Sequence, residues 1–341
     1  IEDGIAFITN FDGIGTSIIN NQIYKAMLSM KLDYNSKIAV FEPSNKNEAV
    51  SMIYNAAKEE DYNLIIGFGE IYSETLIQIA ENYDEKKFII ITDNIDNKNY
   101  AENVFKIVLD YNDTYFATGV LLNLIYTQGY LNSSLLNTDI TENTSNIENN
   151  NSLQRQKIEK LYKRIGIIYA PDNLESRNIA NLINQGFLSL NNNSVNGLSE
   201  ITNKKVQNST FIPDFSIISA DQEDYILLAK KYIENGIDFM VNCYPAYHDE
   251  IYKLCEEANI KYIYLDTDYG KPDKKSIIRI EPVISKNIYN IIRNLMLKNG
   301  NVPNQYTMNL ENKNYLIEFD IPYYESDFNS IMKYLIQANN F

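Results

Sequence analysis

Leu64-Ile65-Ile66-Gly67-Phe68-Gly69 opens the stretch that decides the fold. The apolar run breaks at Gly69, a helical segment follows at Ser73–Tyr83, and a second run, Lys87-Phe88-Ile89-Ile90-Ile91-Thr92, stops at Asp93. Each run is too short for a helix and carries no polar alternation, as expected of strands buried on both faces. Strands alternating with helices of this length imply a parallel sheet covered on both faces. Outward from it the alternation continues: strands at Ile5–Thr9, Lys37–Phe41 and Val104–Leu109, helices at Ile18–Lys31, Asn47–Glu60 and Asp113–Tyr126. Ile19, Ile23, Met27 and Met30 share one face of the first helix, and Ser44 is the expected cap of the second.

Gln128–Lys160 has a different texture, rich in Asn, Ser, Thr and Glu, and reads as a surface insertion whose end, Ser152–Tyr162, is a candidate helix. The alternation then resumes. Strands are expected at Arg164–Tyr169, Phe215–Ser219, Phe239–Cys243, Tyr262–Asp266, Ser276–Ile280 and Tyr315–Phe319. Helices are expected at Asn173–Leu190, Asp224–Asn235 (stopped by Gly236), His248–Asn259, Ser285–Asn299 and Tyr323–Ala338. The fold class is therefore α/β with two doubly wound parallel-sheet lobes. The expected division gives 1–113 with 270–300 to lobe I and 114–269 with 301–341 to lobe II, with 128–160 as the insertion within lobe II.

Length and composition narrow the function. A chain of 341 residues suits two domains with sizeable cores. Its net charge of −15 argues against nucleic acid or an anionic membrane surface as partner, since phosphate binding needs clustered positive charge. A single His excludes a multi-His metal site and disfavours a His-based triad. Cys243 and Cys255 form neither a Cys-x-x-Cys pair nor a disulfide framework. No apolar run reaches the roughly 18–20 residues of a membrane span. The chain opens at Ile1-Glu2-Asp3-Gly4 without Met, as expected of a mature chain whose leader has been removed.

In doubly wound sheets, ligands sit at the carboxyl ends of strands where the strand order switches. That rule selects Asn10, Asp12, Thr16 and Ser17 after the first strand, Gly69, Glu70 and Tyr72 after the third, and Asp93 after the fourth. In the second block it selects Tyr169, Asp221, Cys243, Tyr244, Tyr247, Asp266 and Asp268. The mix of neutral polar, acidic and aromatic residues suits a hydrogen-bonding small molecule with a flat or sugar-like face. It suits a phosphate poorly, because no Lys or Arg stands at these ends and no phosphate-binding glycine loop is present. For each residue a plainer role competes. A strand-end Asp is also a helix cap or turn former, Gly67-Phe68-Gly69 is also a tight strand exit, and Cys243 reads as a buried filler. His248 reads as an exposed surface residue at a helix start.

Several motifs in order resemble the basic membrane protein family of bacterial lipoproteins, the purine nucleoside receptors of ABC transporters. The first is Asn10-Phe11-Asp12-Gly13-Ile14-Gly15-Thr16-Ser17-Ile18-Ile19-Asn20-Asn21. Gly67-Phe68-Gly69 with a strand ending at Asp93, Phe116-Ala117-Thr118-Gly119, Gly186-Phe187, Gly236-Ile237-Asp238, Tyr264-Leu265-Asp266 and Lys286 complete the set. The resemblance runs from Ile5 to about Asn299, the insertion excepted, and implies a type I periplasmic-binding fold, with the solute held in an inter-lobe cleft that closes on it. Family members hold the base between two Phe rings and read it with an acid. Here the acidic position falls on Asn10, one Phe position on Ile19, and the other near Ser219, with Asp221 just after it. Cys243-Tyr244-Pro245-Ala246-Tyr247 replaces the family's glycine-rich loop, while Asp266 keeps the ribose position and Lys286 is retained. Base stacking on an aromatic is worth about 1–3 kcal/mol per contact. Either the pocket holds another ligand, or nucleosides bind in a rearranged way, with Tyr244, Tyr247 or Tyr72 supplying the flat surface.

The resemblance implies a solute-binding protein, not an enzyme, without cofactor or metal, delivering a small polar solute to an ABC permease. It would be lipid-anchored to a bacterial membrane from a Cys upstream of Ile1, extracytoplasmic, with no nucleic-acid partner. The expected ligand-binding residues are Asn10, Thr16, Ile19, Asn20, Gly69, Asp221, Tyr244, Asp266 and Lys286. The alternative is a surface-exposed interaction protein or antigen that keeps the fold and has lost nucleoside binding. An enzyme using Asp266 and Asp268 as paired acids is the weaker rival, since no base-nucleophile arrangement is visible.

Overall fold

Apolar strands alternating with capped helices build nearly all of the regular structure. The computed structural model describes residues 4–94, 100–135, 165–170, 173–189, 222–244, 247–265, 276–297 and 302–319. In chain order the elements are β1 (Gly4–Ile8), α1 (Ile18–Tyr34), β2 (Ile38–Phe41), α2 (Lys46–Lys58), β3 (Tyr62–Phe68), a 3-10 turn (Glu70–Tyr72), α3 (Ser73–Ala80), β4 (Lys87–Thr92) and β5 (Val104–Leu109). Then come α4 (Asn112–Leu135), β6 (Ile165–Ile168), α5 (Leu174–Ser189), α6 (Gln222–Glu234), β7 (Phe239–Asn242), α7 (His248–Glu257) and β8 (Lys261–Tyr264). Last are β9 (Ile278–Pro282), α8 (Ser285–Leu297), β10 (Gln305–Met308) and β11 (Tyr315–Phe319). The expected strand at Phe215–Ser219 and the helices at Ser152–Tyr162 and Tyr323–Ala338 lie outside the described residues.

The chain divides into two units: 1–111 with 267–271 and 281–316, and 112–266 with 272–280 and 317–341. The first unit holds a six-stranded sheet in the order β10-β5-β4-β3-β1-β2. Every pairing in it is parallel. Both faces are covered, which explains the unbroken apolar strands. On one face Ala6, Ile8, Ile65, Phe88 and Ile90 pack with Ala49 and Ile53 of α2 and Leu76 of α3. Ile5 and Phe7 alternate to the other face and are fully buried. The helices α1 and α8 are tied together there, by Tyr289 Oη donating to Asp33 Oδ2 at 2.6 Å and Ser285 N–H donating to Gln22 Oε1 at 3.0 Å.

Three expectations change here. Residues 301–341 were assigned to the second lobe, yet β10 pairs with β5 (Gln305 with Lys106, Met308 with Leu109) and residues up to 316 belong to the first unit. The expected insertion starts later than Gln128, because α4 continues to Leu135. Ser44 is also not the cap of α2. Asn45 takes that place, its side chain accepting from Glu48 N–H at 3.0 Å, while Ser44 Oγ donates to the Glu48 carboxylate at 2.6 Å. The Ser44 hydroxyl bond, with a second from Ser44 N–H at 2.9 Å, holds the Glu48 carboxyl below its usual range.

The second unit contains the parallel sheet β6-β7-β8. Ile168, Met240 and Tyr262 of its strands pack with Tyr225 and Ala229 of α6 and Ile251 and Cys255 of α7. In the same unit α4 and α5 meet backbone to backbone at two glycines. A Cβ on Gly119 would lie 2.0 Å from the Ile183 carbonyl oxygen, and one on Gly186 would lie 2.0 Å from that of Phe116. Asn123 Nδ2 seals the contact by donating to the Phe187 carbonyl at 2.7 Å. The strands β9 and β11 form a separate two-stranded sheet.

Candidate functional site

Strand order locates the candidate site in the first unit. From β1 the chain moves to β2 on one side and then to β3 on the other, so the order reverses between β1 and β3. The helix after β1 and the helix after β3 leave toward opposite faces, which opens a crevice at the carboxyl ends of these two strands.

The loop after β1 is held by two buried amides. Asn10 Oδ1 accepts from Asp12 N–H at 3.2 Å, a local turn that orients the loop. It also accepts from Asn20 Nδ2 at 2.6 Å, and the same Nδ2 group donates to the Gly13 carbonyl at 2.9 Å. Both N–H groups of Asn20 are thereby used, and its Oδ1, fully buried, has no hydrogen bond among the described residues. Ser17 caps α1 by accepting from Asn20 N–H at 3.1 Å. Gly13 has φ +66°, and a Cβ there would lie 2.5 Å from the Glu42 carboxylate, which accepts from Ile14 N–H at 2.6 Å. The loop is thus closed by side chains from β1, α1 and the end of β2.

Opposite it, the exit of β3 turns at Gly69, with φ +123° and its N–H donating to the Ile91 carbonyl at 2.9 Å. The adjoining Glu70 carboxylate accepts from Thr92 Oγ1 at 2.9 Å and Ser73 Oγ at 3.3 Å. Tyr72 is fully buried, and burial pushes its hydroxyl up to about 12. Its ring meets the edge of Phe11 at 6.2 Å and 81°. Phe11 is 48% exposed.

The sequence-derived residues therefore divide. Asn20 of α1 is hydrogen-bonded to Asn10 in the loop after β1, and Gly69 stands at the exit of the neighbouring strand β3. Thr16 is exposed in the same loop. Ile19 is fully buried in α1. Lys286 is exposed in the first turn of α8. In the second unit, Tyr244 is half-buried beyond β7, with its N–H donating to Asn242 Oδ1 at 3.1 Å and its ring 5.3 Å from Tyr225. Asp221 and Asp266 lie outside the described residues. Phe11 was missed as a candidate; Glu70 was selected at the exit of β3 but was left out of the expected ligand-binding set. The signal for Phe11 was present in its position one residue after Asn10, but an aromatic in a turn has no periodicity to mark it.

His248 is not the exposed residue the sequence suggested. Its Nδ1 lies 2.7 Å from Tyr262 Oη, and its ring stacks on Tyr264 at 3.8 Å. Tyrosines on β8 draw it against the sheet. Cys243 is buried and burial drives its thiol well above the usual range; Cys255 is pushed up to about 12 for the same reason. Neither supplies a thiolate at neutral pH. Among the described residues, no group of three or more His, Cys, Asp or Glu could hold a metal ion, and no helix is long and apolar enough to cross a membrane.

Comparison with known proteins agrees with this frame. Over its length the chain is similar to solved solute-binding proteins of ABC transporter systems. One, from Conexibacter woesei, has a TM-score of 0.60 at 11% identity, covering 99% of this chain and 97% of that one. Another, from Aeropyrum pernix, has a TM-score of 0.57 at 13% identity, covering 98% and 90%. These likenesses show the type I periplasmic-binding fold. Residues 8–129 match the family of PnrA-like ABC transporter substrate-binding proteins, Bmp, so the resemblance to the basic membrane protein family is shown over that stretch, β1 to α4. Within it, an uncharacterized lipoprotein of Pyrococcus horikoshii, PH1714, is 25% identical over 87 residues. That match spans 26% of this chain and 22% of the relative's length.

Proposed function

We propose that the chain is an extracytoplasmic solute-binding lipoprotein, which takes up a small polar solute and delivers it to an ABC permease. The observation that carries this reading is the buried Asn10–Asn20 pair at the strand-order reversal, inside the family-matched stretch. Asn20 Oδ1 is a buried acceptor with no hydrogen bond among the described residues. Such an atom costs about 1–3 kcal/mol, a cost that a donor on a bound solute would remove. Thr16 adds a hydroxyl from the same loop. Asp221, Asp266, Tyr244 and Lys286 remain the contacts proposed from the family resemblance. A nucleoside is the first solute to test, and a lipid anchor upstream of Ile1 is part of the reading.

A thermal-shift screen with nucleosides, free bases, monosaccharides and amino acids tests it. At about a hundredfold excess over the dissociation constant, a solute stabilises the folded state by about 2.7 kcal/mol, which raises the midpoint by several degrees. Asn20→Ala should abolish that shift. If no class raises the midpoint, the solute-binding reading fails and the surface-interaction alternative takes its place.

A further inference from the structure

We propose that His248 ends a one-way hydrogen-bond relay that fixes the turn after β7, and that protonating it releases that turn, a pH-sensitive switch in the second unit. The relay stands on its own geometry. Its bearing on solute capture rests on the reading above, because Tyr244 is one of the proposed contacts.

The direction of the relay follows from one backbone group. Tyr244 N–H donates, so the Asn242 atom 3.1 Å from it is the carbonyl oxygen Oδ1. The amide is thereby oriented, and the atom that meets Tyr262 Oη at 3.2 Å is the donor Nδ2. Tyr262 Oη accepts there, and its single proton goes to His248 Nδ1, 2.7 Å away. Nδ1 is then the accepting nitrogen, which puts the ring proton of the neutral imidazole on Nε2. The turn, β7, β8 and the first turn of α7 are joined by three bonds whose donors all point toward the imidazole. Asn242 and Tyr262 are buried, where water does not repair a mismatched bond.

What the relay holds is a strained turn. Tyr247, next to His248, has φ +63°, a left-handed conformation that an aromatic residue rarely adopts. Its ring stacks on the buried Tyr225 at 5.9 Å, and the Tyr244 ring lies 5.3 Å from that same Tyr225 ring. Such a conformation persists only where the surroundings over-determine it. Here Tyr225 holds both tyrosines from one side, and the relay ties Tyr244 N–H and His248 from the other. The imidazole is itself clamped, stacked on Tyr264 at 3.8 Å.

Protonation reverses the last link. An imidazolium donates from both nitrogens, so Tyr262 Oη would face two donors and its own proton would lose its acceptor. Turning the Asn242 amide over does not help, because its NH2 group would then oppose Tyr244 N–H. Among the described residues, the titratable groups against the imidazole are Tyr262 and Tyr264 from β8. Tyr252 of its own helix reaches it through Tyr262, Tyr225 of α6 lies behind Tyr247, and Asp249 and Glu250 stand exposed in the same first turn. Of these residue types, imidazole is the one whose ordinary change of charge falls between about pH 5 and 8.

The chain has one His and no Trp, so both ends of the switch are watched without overlap. Nitrogen NMR of the full chain carrying isotope-labelled histidine reads the tautomer and the titration of His248. Tyr244→Trp keeps the backbone N–H that starts the relay and installs the only indole beside Tyr225. The expected result is an Nε2–H imidazole at about pH 8 and, on acidification to about pH 5, a red shift of indole emission whose midpoint matches the imidazole titration. In the Tyr244→Trp background, His248→Gln should lose that shift, and Tyr262→Phe should leave an imidazole that titrates without moving the indole. An Nδ1–H imidazole overturns the proposal. So does an emission shift that survives in His248→Gln, or an imidazole that titrates in Tyr244→Trp while the indole stays still. None of these readings needs a solute, so they are separate from a failed thermal-shift screen. A solute found by that screen should bind about tenfold more weakly at the acid end, the loss of one aromatic contact. Equal affinity at both ends, beside a coupled indole transition, upholds the switch and overturns its bearing on solute capture.

Discussion

Gly186→Ala sets two ordinary effects against each other, and the structure decides the sign. In an exposed helix interior, replacing Gly by Ala stabilises by about 1 kcal/mol. Here the new Cβ would lie 2.0 Å from the Phe116 carbonyl oxygen and 2.9 Å from its carbon, whereas real Cβ atoms stay at 3.0 Å or beyond. The obstacle is backbone of α4, which has no rotamer to give. The helices must therefore separate by at least about 1 Å, which breaks close packing along their crossing and loosens the bond from Asn123 to the Phe187 carbonyl. Overpacking of this kind costs about 1–3 kcal/mol, and more when backbone must move. Subtracting the helix-propensity gain leaves a net destabilisation of about 2 kcal/mol, from the upper part of that range. The measurement is urea denaturation followed by circular dichroism and, in parallel, by thiol labelling. Both cysteines lie in the same unit as the crossing and are buried, so labelling reports the opening of that unit. Gly119→Ala should behave alike, because its Cβ would lie 2.0 Å from the Ile183 oxygen. Once one variant has pushed the helices apart, the other should cost less, so the double variant should fall short of the sum. Equal or greater stability for Gly186→Ala would refute the close crossing of α4 and α5.

Two further outcomes follow from the buried and bonded groups. Cys243 and Cys255 should resist a thiol reagent at pH 8 in the native chain and react together under denaturant, since burial raises both thiols; fast labelling of either without denaturant would contradict their placement. Tyr289 is held up to about 12, chiefly by its bond to Asp33 and then by burial. Its neutral form is the one stabilised, so this contribution is complete below the ordinary tyrosine value near 10 and is lost as pH rises through 12. With no indole to obscure it, absorbance near 295 nm should show one fewer late-titrating tyrosine in Tyr289→Phe; an unchanged late phase would remove Tyr289 from that link between α1 and α8.

Much of this molecule is already written in local residue order. Leu64–Phe68 and Lys87–Thr92 are legible as strands because burial on both faces demands continuous apolar side chains, and nothing in such a run depends on a distant partner. Caps are nearly as local, although Asn45 rather than Ser44 took the α2 cap, a one-residue competition between equally suitable oxygens. The resemblance in Asn10–Asn21 is local as well, and the match over residues 8–129 agrees with it.

What depended on tertiary structure is whatever needs a partner far along the chain. Gln305–Met308 carries no strand pattern of its own and becomes a strand only because β5 offers a free edge, which moves residues 302–316 into the first unit. Gly119 and Gly186 could be read as glycines, but the reason for them is a backbone contact across 67 residues. His248 reads as exposed until Tyr262 and Tyr264 are known to flank it. Phe11 meets Tyr72 because the strand order places β1 beside β3 at the reversal. The sequence by itself determined most of the described strands and helices, β10 excepted, because burial and capping act over a few residues. Only the tertiary structure decided which loops meet, because strand order is settled by long-range pairing that no local pattern encodes.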